Sequence, residues 1–333
     1  MTLLTGFVVA TAPASASSAV SRVPQVFLLS SAPDSFLDLQ RHVHSVGIVY
    51  PTYYDCETPS GALIGAPEAA IGGYAATRGL RVMPRFNCQD GPTVHRILTS
   101  PHRRSTTLSA LARIAMQGSN RGVCLDLEND GAEDRQAMSA FVSTLARILH
   151  ARHRRLTVVV VGVTHEDAAR STGFYDDTAI GAAADRVFVL AWGAHWAGSG
   201  PGPIAPLEDV RGIARFIASL PSARRFAIGA PMYALDWPAG PLEGEALGEA
   251  AATQYSDIIA LARRVGAMPH RDAASQELTF RYLAPDGRTH VVWYMDARAV
   301  DSILRIAQAA GLGVGLWRLG SEDQRVWSSG VVA

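Results

Sequence analysis

Apolar positions along this chain follow two alternating periods. Short runs that are continuous or alternate residue by residue read as strands: QVFLLS (25–30), VGIVY (46–50), LRVMPRF (80–86), RGVCLDLE (121–128), LTVVVVGV (156–163), DRVFVLAW (185–192), RRFAIGAPMY (224–233) and GVGLWRL (313–319). LTVVVVGV has no polar alternation, as expected of a strand buried on both faces. Between the runs, apolar residues recur at helical spacing over 33–44, 67–78, 93–117, 132–154, 207–220, 244–265 and 298–310, with a polar loop and short helix between the fifth and sixth runs. The stretch 52–65 is aromatic, polar and glycine-bearing and reads as a loop. The stretch 277–296 alternates about a Pro-Asp-Gly turn and reads as a hairpin.

Strand followed by helix, eight times over about 310 residues, predicts an α/β fold: a (β/α)8 TIM barrel. One domain then covers 23–330, with a small β-hairpin insertion between strands seven and eight, at about 268–297. A doubly wound open sheet is the competing topology, but no G-x-G-x-x-G follows the first strand.

Composition narrows the function classes. The 333 residues are 48% hydrophobic and 18% charged, with zero formal net charge and no lysine. This balance gives no reason to expect nucleic acid or an anionic membrane as partner. ARHRR (151–155) ends a predicted helix and reads as a solvated face, while Glu208 and Asp209 read as a helix start. No apolar run reaches the ~18 residues of a membrane span. Residues 1–22 join an apolar run to a small-residue A-x-A-like segment, but no basic residue precedes Arg22. This segment is expected to be an export signal or its remnant, which would make the chain secreted or periplasmic; the alternative is a disordered apolar tail. The three cysteines form no C-x-x-C pair, and no H-x-x-x-H or H-E-x-x-H spacing occurs, so neither metal nor cofactor is expected. Cys56 and Cys88 follow neighbouring strands on one rim and are expected to form a disulfide. Cys124 should stay reduced and point into the barrel.

The candidate chemistry centres on the fourth strand. Alternation places Cys124, Asp126 and Glu128 on one face. Two carboxylates at the end of an apolar strand are costly unless used or paired; the plainer reading is a solvated strand end or helix cap. Barrel chemistry gathers at the C-terminal strand ends. There the sequence places Tyr53, Asn87, Asp126, Glu128, Trp192, His195, Tyr233, Trp237 and Trp317. Aromatic faces beside two carboxylates suit a sugar chain.

These motifs together resemble glycoside hydrolase family 18, in the branch of spore-cortex-lytic N-acetylglucosaminidases and chitinase-like proteins. In RGVCLDLE, Gly122, Asp126 and Glu128 match the family's D-G-x-D-x-D-x-E, with Arg121 and Cys124 in place of its first two aspartates. HWAGSGPGPIAP, GAPMYALDW and GLWRLGSEDQRVW resemble the branch's later segments, in consistent order. The resemblance implies a glycan substrate rich in N-acetylhexosamine, chitin-like or peptidoglycan-like. Glu128 would be general acid and base, and Asp126 would orient the 2-acetamido group, whose oxygen replaces an enzyme nucleophile. Trp317 would floor the sugar subsite and Tyr233 would wall it. The family's M-x-Y-D reads Leu190-Ala191-Trp192-Gly193 here, and Cys124 removes the inner aspartate. A carbohydrate-binding protein of weak or no activity is therefore the alternative. The motifs carry no information on oligomeric state.

Overall fold

The computed structural model describes residues 24–57, 62–129, 131–164, 173–240, 242, 244–330 and 332. The expected leader over 1–22 lies outside the described residues.

Barrel strands follow the apolar runs. They are β1 (Gln25–Leu28), β2 (Ile48–Pro51, resuming as Tyr54–Glu57), β3 (Arg81–Val82, resuming as Arg85–Cys88), β4 (Gly122–Leu127), β5 (Arg155–Val161), β6 (Arg186–Leu190), β7 (Phe226–Pro231) and β8 (Gly313–Trp317). All pair in parallel with their sequence neighbours, and β8 pairs with β1. The breaks in β2 and β3 coincide, and the two strands stay paired on both sides of them. Ile48 faces Arg81 and Val49 faces Val82 below the breaks; Tyr54 faces Phe86 and Asp55 faces Asn87 above. The offset falls from 33 to 32, so β2 carries one extra residue, a β-bulge. The segment 52–65, expected to be a loop, holds the upper half of β2 and a return strand, Ala62–Gly65, paired to it. The parallel partner of the upper half of β2 lies 32 residues away, beyond the reach of local pattern.

Phe27, Ile48, Tyr50, Met83, Cys124, Val159 and Phe188 fill the barrel. Two glycines make room for the largest ring. A Cβ on Gly229 or Gly315 would lie 2.4 or 2.1 Å from the Phe188 ring, so neither strand tolerates a side chain there. Helices pack outside on regular apolar faces. Arg135–His150, for example, buries Met138, Phe141, Val142, Leu145, Ala146 and Leu149.

Two helix expectations are corrected, and the expected hairpin belongs to a larger sheet. The helix over 93–117 is two, Gly91–Thr99 and Pro101–Met116. Pro101 cannot continue the first helix but can open the second. The helix over 244–265 is a strand, Ala251–Gln254, and then a helix, Tyr255–Arg264. AATQ has no apolar stripe to bury as a helix and instead pairs antiparallel with Tyr233–Asp236. Leu278–Leu283 and Thr289–Tyr294 pair as the expected hairpin segment, but within a larger five-stranded antiparallel sheet. That sheet also takes in Tyr233–Pro238, Ala251–Gln254 and His270–Arg271, and the Tyr255–Arg264 helix packs on it through Ile258 and Ala262.

Cys56 and Cys88 form a disulfide with a Cα–Cα separation of 5.2 Å, joining β2 to β3 above their breaks. Cys124 is a buried free thiol inside the barrel, and burial pushes it well above the ordinary thiol range.

Candidate active site

A cavity of about 420 Å³ opens at the C-terminal ends of the strands, between the barrel and the added sheet. Of the expected site residues, Asp126, Glu128, Trp192, Tyr233 and Trp317 line it. Strand alternation explains Asp126: it points inward as Cys124 does, two residues below. Its side chain is 2% exposed. Arg85, on the adjacent strand, reaches it with Nε and Nη2, both 2.5 Å from Oδ2. The same guanidinium donates to Asn87 Oδ1 at 2.7 Å, and Asn87 Nδ2 donates to Asp55 Oδ1 at 2.9 Å. Arg85 also lies over the Trp317 ring, 5.1 Å from its centre. One cation is thus held by a carboxylate, an amide and an aromatic face. Burial pushes the Asp126 carboxyl above its ordinary range, against the downward pull of Arg85. Its second oxygen, Oδ1, is buried with no hydrogen-bond partner among the described residues.

Glu128 stands just past the end of β4. Its amide donates to Cys88 O at 2.9 Å, which fixes the backbone, and its Oε1 accepts from Gln89 Nε2 at 2.6 Å. It is half-buried and opens to the cavity. Trp317 packs at a tilt on Phe27, and Trp192 meets Phe188 edge to face, so both rings are braced by the barrel core. Tyr233 is half-buried; burial and the charge of Glu277 raise its phenol above the usual range. Glu277, just before the Leu278–Leu283 strand, accepts from the amides of Ile204 and Ala205 at 2.9 and 2.7 Å and so ties the 193–206 loop to the added sheet. Burial raises its carboxyl to about 7, against those two amide bonds.

Four expected residues are not in the lining. Asn87 stands behind Arg85 as its support. Tyr53 is buried in the outer core, its hydroxyl 3.4 Å from Glu68 O. His195 is folded into its own loop, Nδ1 2.8 Å from Gly200 O and its ring against Gly202. Trp237 is wholly buried, so it packs and does not face the cavity. The cavity residues that went unread in the sequence include Arg85, Gln89, Arg318 and the exposed Trp196. The available signal was a lone charge inside an apolar strand and a solitary tryptophan in a Gly/Pro loop. Gly193, at the family's aspartate position, has φ +97, a conformation that favours glycine. Among the described residues no group of three or more His, Cys, Asp or Glu could hold a metal ion.

No family model matches the chain. It is 33% identical over 228 residues to a Bacillus subtilis protein named as a sporulation-specific glycosylase, YdhD, covering 68% of this chain and 53% of that one. Its structure superposes on that of a chitinase from Chromobacterium violaceum with a TM-score of 0.80 and 28% identity, covering 93% of this chain and 98% of the other. The chain belongs to glycoside hydrolase family 18. Within family 18 it is also 24% identical, over 84% of its length, to the cortical fragment-lytic enzyme of Bacillus anthracis. It spans about half the length of YdhD and 66% of that enzyme. Where the family-18 motif has its inner aspartate, this chain has Cys124, and Asp126 is partnered by Arg85.

Proposed function

We propose that the chain hydrolyses glycans containing N-acetylglucosamine, by substrate-assisted retention. The observation that carries this reading is Asp126 Oδ1. A buried carboxylate oxygen without a partner costs on the order of 1–3 kcal/mol or more, and this one lies at a cavity walled by aromatic rings. A 2-acetamido N–H donating to it would satisfy it. The same bond would turn the acetamido carbonyl oxygen toward the anomeric carbon. Glu128 then gives its proton to the glycosidic oxygen as the C–O bond breaks and the acetamido oxygen closes an oxazolinium ring. In the second step Glu128 takes a proton from water, which opens the ring at the anomeric carbon, so the configuration is retained. Asp126 and Glu128 are the only carboxylates among the described lining residues, and both come from one strand end. This leaves the far side of the sugar without an enzyme nucleophile. Trp317 would floor the subsite, with Trp192 and Tyr233 as its walls.

The relatives support this substrate class by name: a glycosylase, a cortical fragment-lytic enzyme and, in rat, a di-N-acetylchitobiase at 22% identity. The disulfide suits action in an oxidising compartment, outside the cytoplasm. The test compares an N-acetylglucosamine oligomer with the same oligomer de-N-acetylated at the residue on the non-reducing side of the cleaved bond, followed by proton NMR. Cleavage of the acetylated oligomer alone, with a retained first product, is expected. Equal cleavage of both, or an inverted product, would defeat the mechanism. Tight binding with no cleavage would leave a carbohydrate-binding protein.

A further inference from the structure

The opposite pole of the barrel carries a second constellation, which plays no part in this chemistry. Arg81 opens β3, Arg121 immediately precedes β4, Arg155 opens β5 and Arg186 opens β6. Four adjacent strands thus begin with a guanidinium. Their side chains, with His153, surround a cavity of about 570 Å³ floored by Ile48, Met83 and Thr157.

Among the described residues, Asp185 is the only carboxylate lining this cavity. It is already engaged by Arg155 at 2.5 Å, by His150 at 2.8 Å and by the Leu156 amide at 2.9 Å. Arg81 donates only to a backbone carbonyl, Gly47 O, at 3.1 Å. Among the described residues no ion pair joins a carboxylate to Arg121 or Arg186. Burial and the neighbouring charge of Arg186 pull Arg81 below the usual arginine range, so the cations crowd one another. The chain as a whole is neutral, so this is a local concentration and not general basicity. A neighbouring cavity of about 910 Å³ shares His153, Arg155 and Asp185 and adds Arg147, Arg154 and Arg225. The positive surface therefore continues down the flank of the barrel.

Converging guanidinium groups with unused donors suit an oxyanion that accepts bidentate hydrogen bonds from several directions, and phosphate does this best. We propose that the N-terminal pole of the barrel is a binding site for a ligand carrying two or more linked phosphate groups, with Arg81, Arg121 and Arg186 as its principal contacts. Bound phosphate would relieve the mutual repulsion of these cations.

The probe is pyrophosphate, titrated by calorimetry into the full chain in a phosphate-free buffer at fixed ionic strength, with sodium chloride as blank. Saturable binding is expected, at least ~100-fold weaker in the Arg121→Gln/Arg186→Gln double variant, since each charge-assisted contact is worth roughly 1.5–3 kcal/mol. The exposed single variant Arg121→Gln should weaken it about 10-fold, and the unliganded melting temperature should not fall in either variant. A second arm uses poly(glycerol phosphate). Tighter binding than pyrophosphate, lost in the double variant, identifies a polymer as the source of the phosphate; weaker binding identifies a free phosphorylated compound. Absence of saturable pyrophosphate binding, or binding that the double variant retains, overturns the proposal. No arm measures cleavage, so this outcome is independent of the hydrolase reading.

Discussion

Removing the positive charge at Arg85 tests how the site tolerates a buried carboxylate. Arg85 and Asp126 have side chains 8% and 2% exposed, and Arg85 is the only described group bonded to the Asp126 carboxylate. Arg85→Met keeps an apolar stem of similar length but removes the guanidinium over Phe27 and Trp317 and strands the carboxylate. Breaking a buried pair on one side costs about 3–5 kcal/mol. At ~2–4 °C per kcal/mol for a large domain, the melting temperature should fall by roughly 6–20 °C. Arg85 is also what holds the Asp126 carboxyl down against burial. Without it the carboxyl rises further and stays protonated to higher pH, so the acidic limb of kcat/KM should move upward. A steady-state pH profile and a thermal melt on one preparation read both effects. The double variant Arg85→Met/Asp126→Asn removes the stranded charge, so it should recover stability relative to Arg85→Met, a coupling of ~1 kcal/mol or more. It should stay inactive, because the acetamido group has lost its ionised acceptor. If Arg85→Met melts and titrates like the wild type, or the two substitutions are additive, Arg85 does not govern the charge on Asp126.

Glu128→Gln is nearly isosteric and should retain the melting temperature while losing at least ~100-fold in kcat; an unchanged rate would remove Glu128 from the mechanism. Glu277 should give the chain a pH-dependent stability. Its folded value, about 7, lies above its ordinary 4.5, so the folded state holds the extra proton between those values. Stability should therefore fall as pH rises from about 4.5 to 7, by up to ~3 kcal/mol, and Glu277→Gln should flatten that slope. Urea midpoints at pH 5 and pH 7.5 measure it, and equal slopes in both proteins would contradict the assignment.

Much of the barrel was legible because its determinants are local. Each strand is an apolar run, and alternation alone put Cys124 and Asp126 on the inner face, where the structure has them. The Cys56–Cys88 bridge followed from two strands being neighbours. Features that depend on distant partners were not legible. Ala251–Gln254 is a strand because Tyr233–Asp236 lies beside it, not because of its own residues. Arg85 looks like a stray charge until β4 brings Asp126 against it, across 41 residues. Trp237 and His195 looked like binding residues because aromatic and imidazole side chains signal burial and contact alike; only packing tells which.

The extra residue in β2 makes chain length, rather than residue identity, the determinant of this rim. Below the bulge Ile48 and Tyr50 face the barrel; above it Tyr53 and Tyr54 both join the outer core, and Asp55 turns in to meet Asn87. Cys56 consequently points the other way, beside Cys88. Deleting one residue at the bulge would rotate everything above it by one step: Tyr54 would enter the barrel, Asp55 would leave Asn87, and Cys56 would turn from Cys88. Substitutions can change these contacts one at a time. A frame of one residue changes all of them together, so the rim tolerates exchange of residues at fixed chain length and not a change in the count.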